Sequence, residues 1–309
     1  MTGPEPTPAS GSAALAMLGA LGTALIFAGY FIVTRIGLGG TFTVGDLVAA
    51  RYVVPGLLLL PWALVIGGLG RGIAGIVWSR ALTLSLFGGL PLVWFLTAGL
   101  QHAPPAQAGI FMSATVPLFV VPIAWALIGE RPSPSQMAGV GMIFLGDALV
   151  ALKGFDGAAS GAWKGQVQFL AASLCWAIYT VLARKWQVDP RRATIATSVV
   201  SGLVYLPVYL LFMSIGLGAA GALDIAVQAV YLGIFAGIVA IVMFTHAVRV
   251  LGAAPASIFL SLVPAAATVM AIPFGDRPSL IEWLGVAAVT AGMPFALGWR
   301  PGRRVAAAE

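Results

Sequence analysis

Ten long apolar runs, separated by short polar corners, leave this chain few folds to adopt. They cover about 13–37, 46–67, 80–100, 105–128, 135–152, 165–186, 194–216, 226–250, 254–274 and 280–299. Each is near the roughly 20 residues that a helix needs to cross a hydrocarbon core. The apolar residues run on continuously instead of alternating at period two, which disfavours a strand barrel. Composition points the same way. Charged residues make up 8% of the chain, against roughly 25% in soluble domains, so much of the surface must face lipid. Connections such as those around Pro104–Pro105 and Gly252–Ala254 are very short, and helices joined that way must be antiparallel neighbours.

The runs fall into two similar sets. From Gly129 the chain reads GERPSPSQMAGVGMIFLG, and from Gly275 it reads GDRPSLIEWLGVAAVTAG, with seven of eighteen aligned positions identical and a spacing of 146 residues. Leu25–Arg35 (LIFAGYFIVTR) aligns with Leu174–Arg184 (LCWAIYTVLAR), pairing Phe27 with Trp176, Tyr30 with Tyr179 and Arg35 with Arg184. A third match sets FMSATVP, ending at Pro117, against FLSLVP, ending at Pro264. Internal repeats decide architecture before local detail does. Each half holds five helices, and because five is odd the second half must cross the bilayer inverted. The expected fold is all-α and integral to the membrane, with ten transmembrane helices as two inverted five-helix repeats at 13–152 and 165–299. A linker at 153–164, a disordered tail at 1–12 and a second tail at 300–309 complete it. Inverted repeats are a transporter architecture with the substrate site near midplane.

Orientation follows from the cations. Eleven of the sixteen Lys and Arg residues fall on the side that would hold both termini; Arg35, Arg51, Lys153, Lys164 and Arg277 fall on the other. Positive loops stay cytoplasmic, so both ends are expected inside a bacterial-type inner membrane. The same bias explains the net charge of +6 without nucleic acid, since the cations are dispersed in short loops. No Lys or Arg precedes the first run, so the positive segment of a signal peptide is lacking.

Two five-helix halves, each opening on an aromatic-plus-basic helix and carrying a G-[ED]-R-P-S corner before its last helix, resemble the drug/metabolite transporter superfamily. The similarity is to its ten-helix EamA-type exporters, from about Leu15 to Trp299, and extends to the aromatic amino acid exporter branch. The resemblance implies metabolite transport, often amino-acid export, through a central cavity. The superfamily's four-helix multidrug exporters use a membrane-embedded glutamate on the first helix to exchange protons for cationic drugs. Here the first helix has no acid between Gly11 and Gly45, a departure that argues against that mechanism and against a permanently cationic substrate.

The repeated corner has a structural explanation of its own. Ser133–Gln136 and Ser279–Glu282 fit the S-x-x-[EQ] capping box, and Pro134 suits a first helical position. Helix initiation therefore outweighs substrate binding there. The candidate substrate residues are intramembrane aromatic and polar side chains: Tyr30, Trp94, Thr97, Gln107, Phe111, Trp176, Tyr179 and Phe259. Packing between helices and lining of a cavity are evenly matched for such residues. For gating or coupling the candidates are Asp147, an acid late in helix five whose repeat counterpart is Met293, and His246 near the inner end of helix eight. Intramembrane acids are costly and face the bundle interior, but Asp147 could also reach the interface near Lys153. Arg51 lies one turn into helix two and could pair with Asp46; no Lys or Arg pair suited to an anionic substrate is evident deep in a helix.

Nothing points to catalysis. There is no G-x-x-x-x-G-K-[ST] phosphate loop, and two distant histidines with the single Cys175 give no metal or nucleophile constellation. No cofactor or metal is expected. The expectation is a monomeric carrier in the bilayer that exports amino acids, aromatic or hydrophobic, by alternating access without coupling. Ring stacking would supply contact area, and hydroxyls and helix dipoles would hold the charged ends. A carrier for another solute (a drug, nucleotide sugar or phosphorylated metabolite), a membrane enzyme and a scaffold are the alternatives.

Overall fold

The computed structural model describes residues 10–67, 70–156 and 161–297. Their helices are α1 (Ser10–Gly39), α2 (Val44–Gly67), α3 (Trp78–Gly99), α4 (Pro105–Ile128), α5 (Pro134–Asp156), α6 (Ala162–Lys185), α7 (Pro190–Phe212), α8 (Ala222–Leu251), α9 (Pro255–Phe274) and α10 (Leu280–Ala296). Among the described residues nine are long and apolar enough to span a bilayer, and α10 is a 17-residue apolar helix. At 1.5 Å per residue it is roughly one turn short of the mean hydrocarbon thickness. Large apolar side chains such as Val65 and Phe212 point outward, as a lipid-facing surface requires.

The helix ends follow from local chemistry. Gly129 and Gly275 adopt left-handed backbone, at φ 79° and 98°, and stop α4 and the closing 3₁₀ turn of α9 where a side chain would be strained. Four residues on, Ser133 and Ser279 start α5 and α10. The Gln136 N–H donates to Ser133 Oγ at 3.3 Å and the Ser133 N–H to Gln136 Oε1 at 2.8 Å; Ser279 and Glu282 form the same reciprocal box. Asp189 caps α7 through the Arg191 and Arg192 N–H groups.

Prolines set the breaks. In α4 a π-turn over Gly109–Ala114 precedes Val116–Pro117, and in α9 the helix is interrupted at Ser261–Leu262 before Val263–Pro264. Proline removes one N–H and crowds the carbonyl four residues back, so the two equivalent prolines interrupt equivalent places. The bend in α3 lies at Gly89, two residues before Pro91, between segments Trp78–Gly88 and Leu90–Gly99.

The two halves pack as an inverted repeat. α2 lies along α7, and α5 along α10. α1 packs on α8 and α9, and its mate α6 packs on α3 and α4. Paired glycines let backbones approach closely, a common device in membrane helices. A Cβ on Gly56 would lie 2.8 Å from the Ser198 carbonyl, and one on Gly202 would lie 2.6 Å from the Tyr52 carbonyl. Those reciprocal contacts make Gly56 and Gly202 equivalent, again 146 residues apart. α5 and α10 use Gly139 with Gly292, and Gly146 with Gly285, in the same way.

Two details differ from the sequence-based expectation. The α2–α3 connection contains a minimal antiparallel hairpin, Gly72–Ile73 with Ile76–Val77, turned by Ala74 and Gly75 at positive φ; strands of two residues carry no periodicity to detect. α5 runs on to Asp156 and α6 begins at Ala162, inside the 153–164 linker expected. The expected tail at 300–309 and most of that at 1–12 lie outside the described residues, but α1 already begins at Ser10.

Candidate functional site

A cavity of about 530 Å³ lies between the halves. It is walled by α1, α2, α3, α4, α6, α7, α8 and α9, with residues of α5 and α10 near its mouth. The mouth sits at the face that carries the α4–α5 and α6–α7 connections, where Glu130, Arg131, Gln136, Arg184 and Leu297 border it. Arg184 Nη2 and Glu130 Oε1 meet at 2.8 Å there, both substantially exposed. An exposed pair of this kind contributes little stability.

The deep end is aromatic. Trp176 and Tyr179 are stacked in α6, with centroids 5.1 Å apart and rings at 30°. They line the cavity together with Phe27, Tyr30 and Tyr52 from α1 and α2. Gly88 fixes one side of this stack, since a Cβ on it would fall 2.4 Å from Tyr179 Cδ2. Tyr52 donates to the Gly88 carbonyl at 3.1 Å. The Tyr30 hydroxyl faces Thr34 and Thr97, and none of those three buried hydroxyls completes a hydrogen bond of good geometry among the described residues.

Beyond the deep end the helices are closed. Arg35 Nη1, in the last turns of α1, donates to the Leu100 carbonyl at the end of α3. Gln228 of α8 donates to the Val33 carbonyl of α1 at 3.0 Å. Asp46 ties α2 to α7 and the connection after it, accepting from the Thr43 N–H and hydroxyl, the Gly216 N–H and Tyr209 OH. Asp276 lies in the α9–α10 corner on this face, where burial pushes its carboxyl above its ordinary value and nearby Arg35 pulls it back.

The expected site residues divide. Tyr30, Trp176 and Tyr179 line the cavity. Trp94 and Thr97 do not, because the α3 segment after Gly89 turns Leu92, Val93 and Leu96 to the cavity; Trp94 packs on the core and Thr97 is buried behind it. Phe111 is buried in the core, and its neighbours Met112 and Ser113 take the lining position on the π-turn. Gln107 accepts from Gln166 Nε2 at 3.0 Å, fastening α4 to α6. Phe259 packs on the small cluster of Ala20, Ala247 and Ala256, leaving Ser257 and Leu260 to face the cavity.

Neither coupling candidate borders the cavity. His246 Nδ1 sits 3.2 Å from Arg249 Nη2, one turn along α8. Asp147 is 7% exposed and accepts from Thr115 Oγ1 at 2.8 Å, while its other carboxyl oxygen has no partner in the described protein. The side chain of Lys153, its expected neighbour, lies outside the described residues.

Arg51 was the residue missed. With Asp46 held by Tyr209 and Gly216, Arg51 is left to line the cavity, its guanidinium 5.3 Å from the Tyr52 ring centroid. Spacing along α2 suggested a pair with Asp46; only the tertiary contacts reveal otherwise.

Comparison with known proteins agrees with this architecture. The model of the EamA-like transporter family matches residues 14–152 and 163–297, one match per half. An uncharacterized transporter of Archaeoglobus fulgidus is 26% identical over 274 residues, covering 88% of this chain and 93% of its own. A protein of Streptantibioticus cattleyicolor named as a probable terminal-alkyne amino-acid exporter is 29% identical over 300 residues, covering 91% and 96%. A solved crystal structure superimposes with a TM-score of 0.60 at 22% identity, over 91% of this chain and 96% of the other, a likeness of fold.

Proposed function

The chain belongs to the EamA-like transporter family and is a multi-pass membrane transporter; on that footing we propose that it exports amino acids with aromatic or hydrophobic side chains. The cavity described above would be the substrate site, worked by alternating access without a coupled proton. The observation that carries this reading is the Trp176–Tyr179 stack lining the cavity together with Tyr30 and Phe27. Such a wall offers ring-sized contact area, and aromatic pairs contribute about 0.5–1.5 kcal/mol beyond area burial. The similarity to a probable amino-acid exporter supports the same substrate class.

The cation bias supports a mouth on the cytoplasmic side of the plasma membrane, with both termini on that side. A cavity open to the cytoplasm is the loading state of an exporter. The repeats supply its other state. Arg35 and Arg184 are repeat mates, as are Glu130 and Asp276. At the open end Arg184 holds Glu130, while at the closed end Arg35 holds the end of α3, leaving an Asp276 oxygen without a hydrogen-bond partner among the described residues. Exchanging the roles of the halves puts Arg35 on Asp276 and frees Arg184 to latch the end of α8, closing the mouth and opening the far side.

The distribution of acids supports uncoupled transport. Among the described lining residues Glu130 is the one carboxylate, paired and at the mouth, and Asp147 lies behind the wall. The test is uptake of labelled L-phenylalanine into proteoliposomes. Equilibration with the outside concentration is expected with or without an imposed proton gradient. Accumulation above it, driven by the proton gradient, would defeat the uncoupled mechanism, and no carrier-dependent uptake of any amino acid in a panel would defeat the substrate class.

A further inference from the structure

We propose that Arg51 is the anchor for a carboxylate on the transported molecule, so that this carrier selects monocarboxylates and zwitterionic amino acids over neutral or cationic analogues. The inference rests on the cavity being the substrate site and assigns the chemistry of its deep end.

Three observations meet at this residue. The first is position. Arg51 lies seven residues into α2, about 10 Å along the helix from its start, and lines the cavity beside Tyr30 and Tyr52 at the closed end. The second is the lack of a counter-charge. Among the described residues Arg51 forms no ion pair and no hydrogen bond. Beside it lie the Tyr52 ring and the bare backbone of Gly237, where a Cβ would lie 3.0 Å from Nη1. An intramembrane cation is expensive and normally pairs with an acid. Asp46, the acid nearest along α2, is already held by Thr43, Tyr209 and Gly216.

The third is asymmetry. Gly56 and Gly202 are equivalent in the α2–α7 contact, which makes Thr197 the mate of Arg51 on the other half. Thr197 also lines the cavity, and its buried hydroxyl has no hydrogen-bond partner among the described residues. A cation needed to hold the repeat together would be expected in both halves. Here it stands on one side only, with a hydroxyl donor at the equivalent position on the other. The cavity walls as a whole carry Arg51, Arg131 and Arg184 against the single acid Glu130, an excess of two positive charges. That field favours an anionic group and opposes a cation.

A carboxylate fits this end better than a phosphate. One guanidinium can hold a carboxylate by two parallel hydrogen bonds. A phosphate monoester brings nearly two charges, and apart from Arg51 the deep end offers hydroxyls and rings. With the acid group at Arg51, an attached side chain can lie against the Trp176–Tyr179 stack.

The experiment measures binding to the purified full chain in nanodiscs, using L-phenylalanine, 3-phenylpropionate and L-phenylalaninamide as probes. The wild type should bind both acids at least about tenfold more tightly than the amide, the least that a charge-assisted hydrogen bond contributes. Arg51→Gln should remove that preference by weakening the acids while sparing the amide, and Arg51→Lys should restore part of it. Trp176→Ala should weaken all three probes alike. Equal wild-type affinity for acid and amide would overturn the proposal without using any variant, as would an unchanged acid preference in a folded Arg51→Gln. If Trp176→Ala leaves every affinity unchanged, the cavity itself is not the site, and the functional reading fails separately from the role of Arg51.

Discussion

Tyr179 has little freedom at the deep end of the cavity, because Gly88 lies against one side of its ring and Trp176 stacks on it. Gly88→Ala would place a methyl where the ring now stands and push Tyr179 off the stack. Losing an aromatic contact of about 1 kcal/mol should lower phenylalanine flux several-fold, with little change in the yield of folded protein. Unaltered flux would show that the stack is not part of the path. Trp94→Ala should act differently, impairing packing and folded yield more than the flux of the protein that survives, because Trp94 does not reach the cavity. Asp147 tests coupling at the same scale. Asp147→Asn keeps the shape and the bond to Thr115, so uncoupled flux should keep its rate and its dependence on pH. Loss of a pH dependence seen in the wild type would make Asp147 a proton carrier.

At the scale of elements, the corners and the glycine contacts make separable contributions. Ser279→Ala removes one half of a reciprocal cap, worth about 1 kcal/mol. Gly202→Val forces a branched side chain onto the Tyr52 carbonyl at the α2–α7 contact, where overpacking costs about 1–3 kcal/mol. In a thermal-unfolding assay on detergent-purified protein the glycine variant should therefore melt below the cap variant. The reverse order would mean that the two halves are not held through this contact. The helix starts were legible in the sequence because their cause is local: a serine three residues before Glu or Gln caps a first turn, and a proline suits a first helical position. The left-handed glycines and the glycine contacts emerge only from the fold. The side on which an aromatic residue points was less legible. Phe111 lies within a π-turn and Trp94 follows a glycine break; both rotate the helix face, and simple 3.6-residue spacing does not carry across either.

For the whole molecule, the repeat was the most informative signal, since two sets of five helices require inversion, and inversion underlies both the central cavity and the second state proposed. Arg51 could not be reached that way. Its nearest acid along α2 is bound by Tyr209 and Gly216, 163 and 170 residues away, and no local pattern records such contacts. The proposed exchange of latches makes a prediction at this scale. Arg35→Gln removes the bond to Leu100 and should shift the population toward the state open on the far side. Thiol labelling by an impermeant reagent, at single cysteines introduced on the two faces in a chain lacking Cys175, should then rise on that face and fall around Glu130. No redistribution would remove Arg35 from the closing device. The alternating cycle is tested most directly by counterflow. Proteoliposomes loaded with millimolar unlabelled L-phenylalanine and diluted into a trace of labelled L-phenylalanine, with no ion gradient, should show a transient overshoot of internal label that saturates with concentration. Monotonic, non-saturating entry with no overshoot would contradict a carrier that turns over between two states.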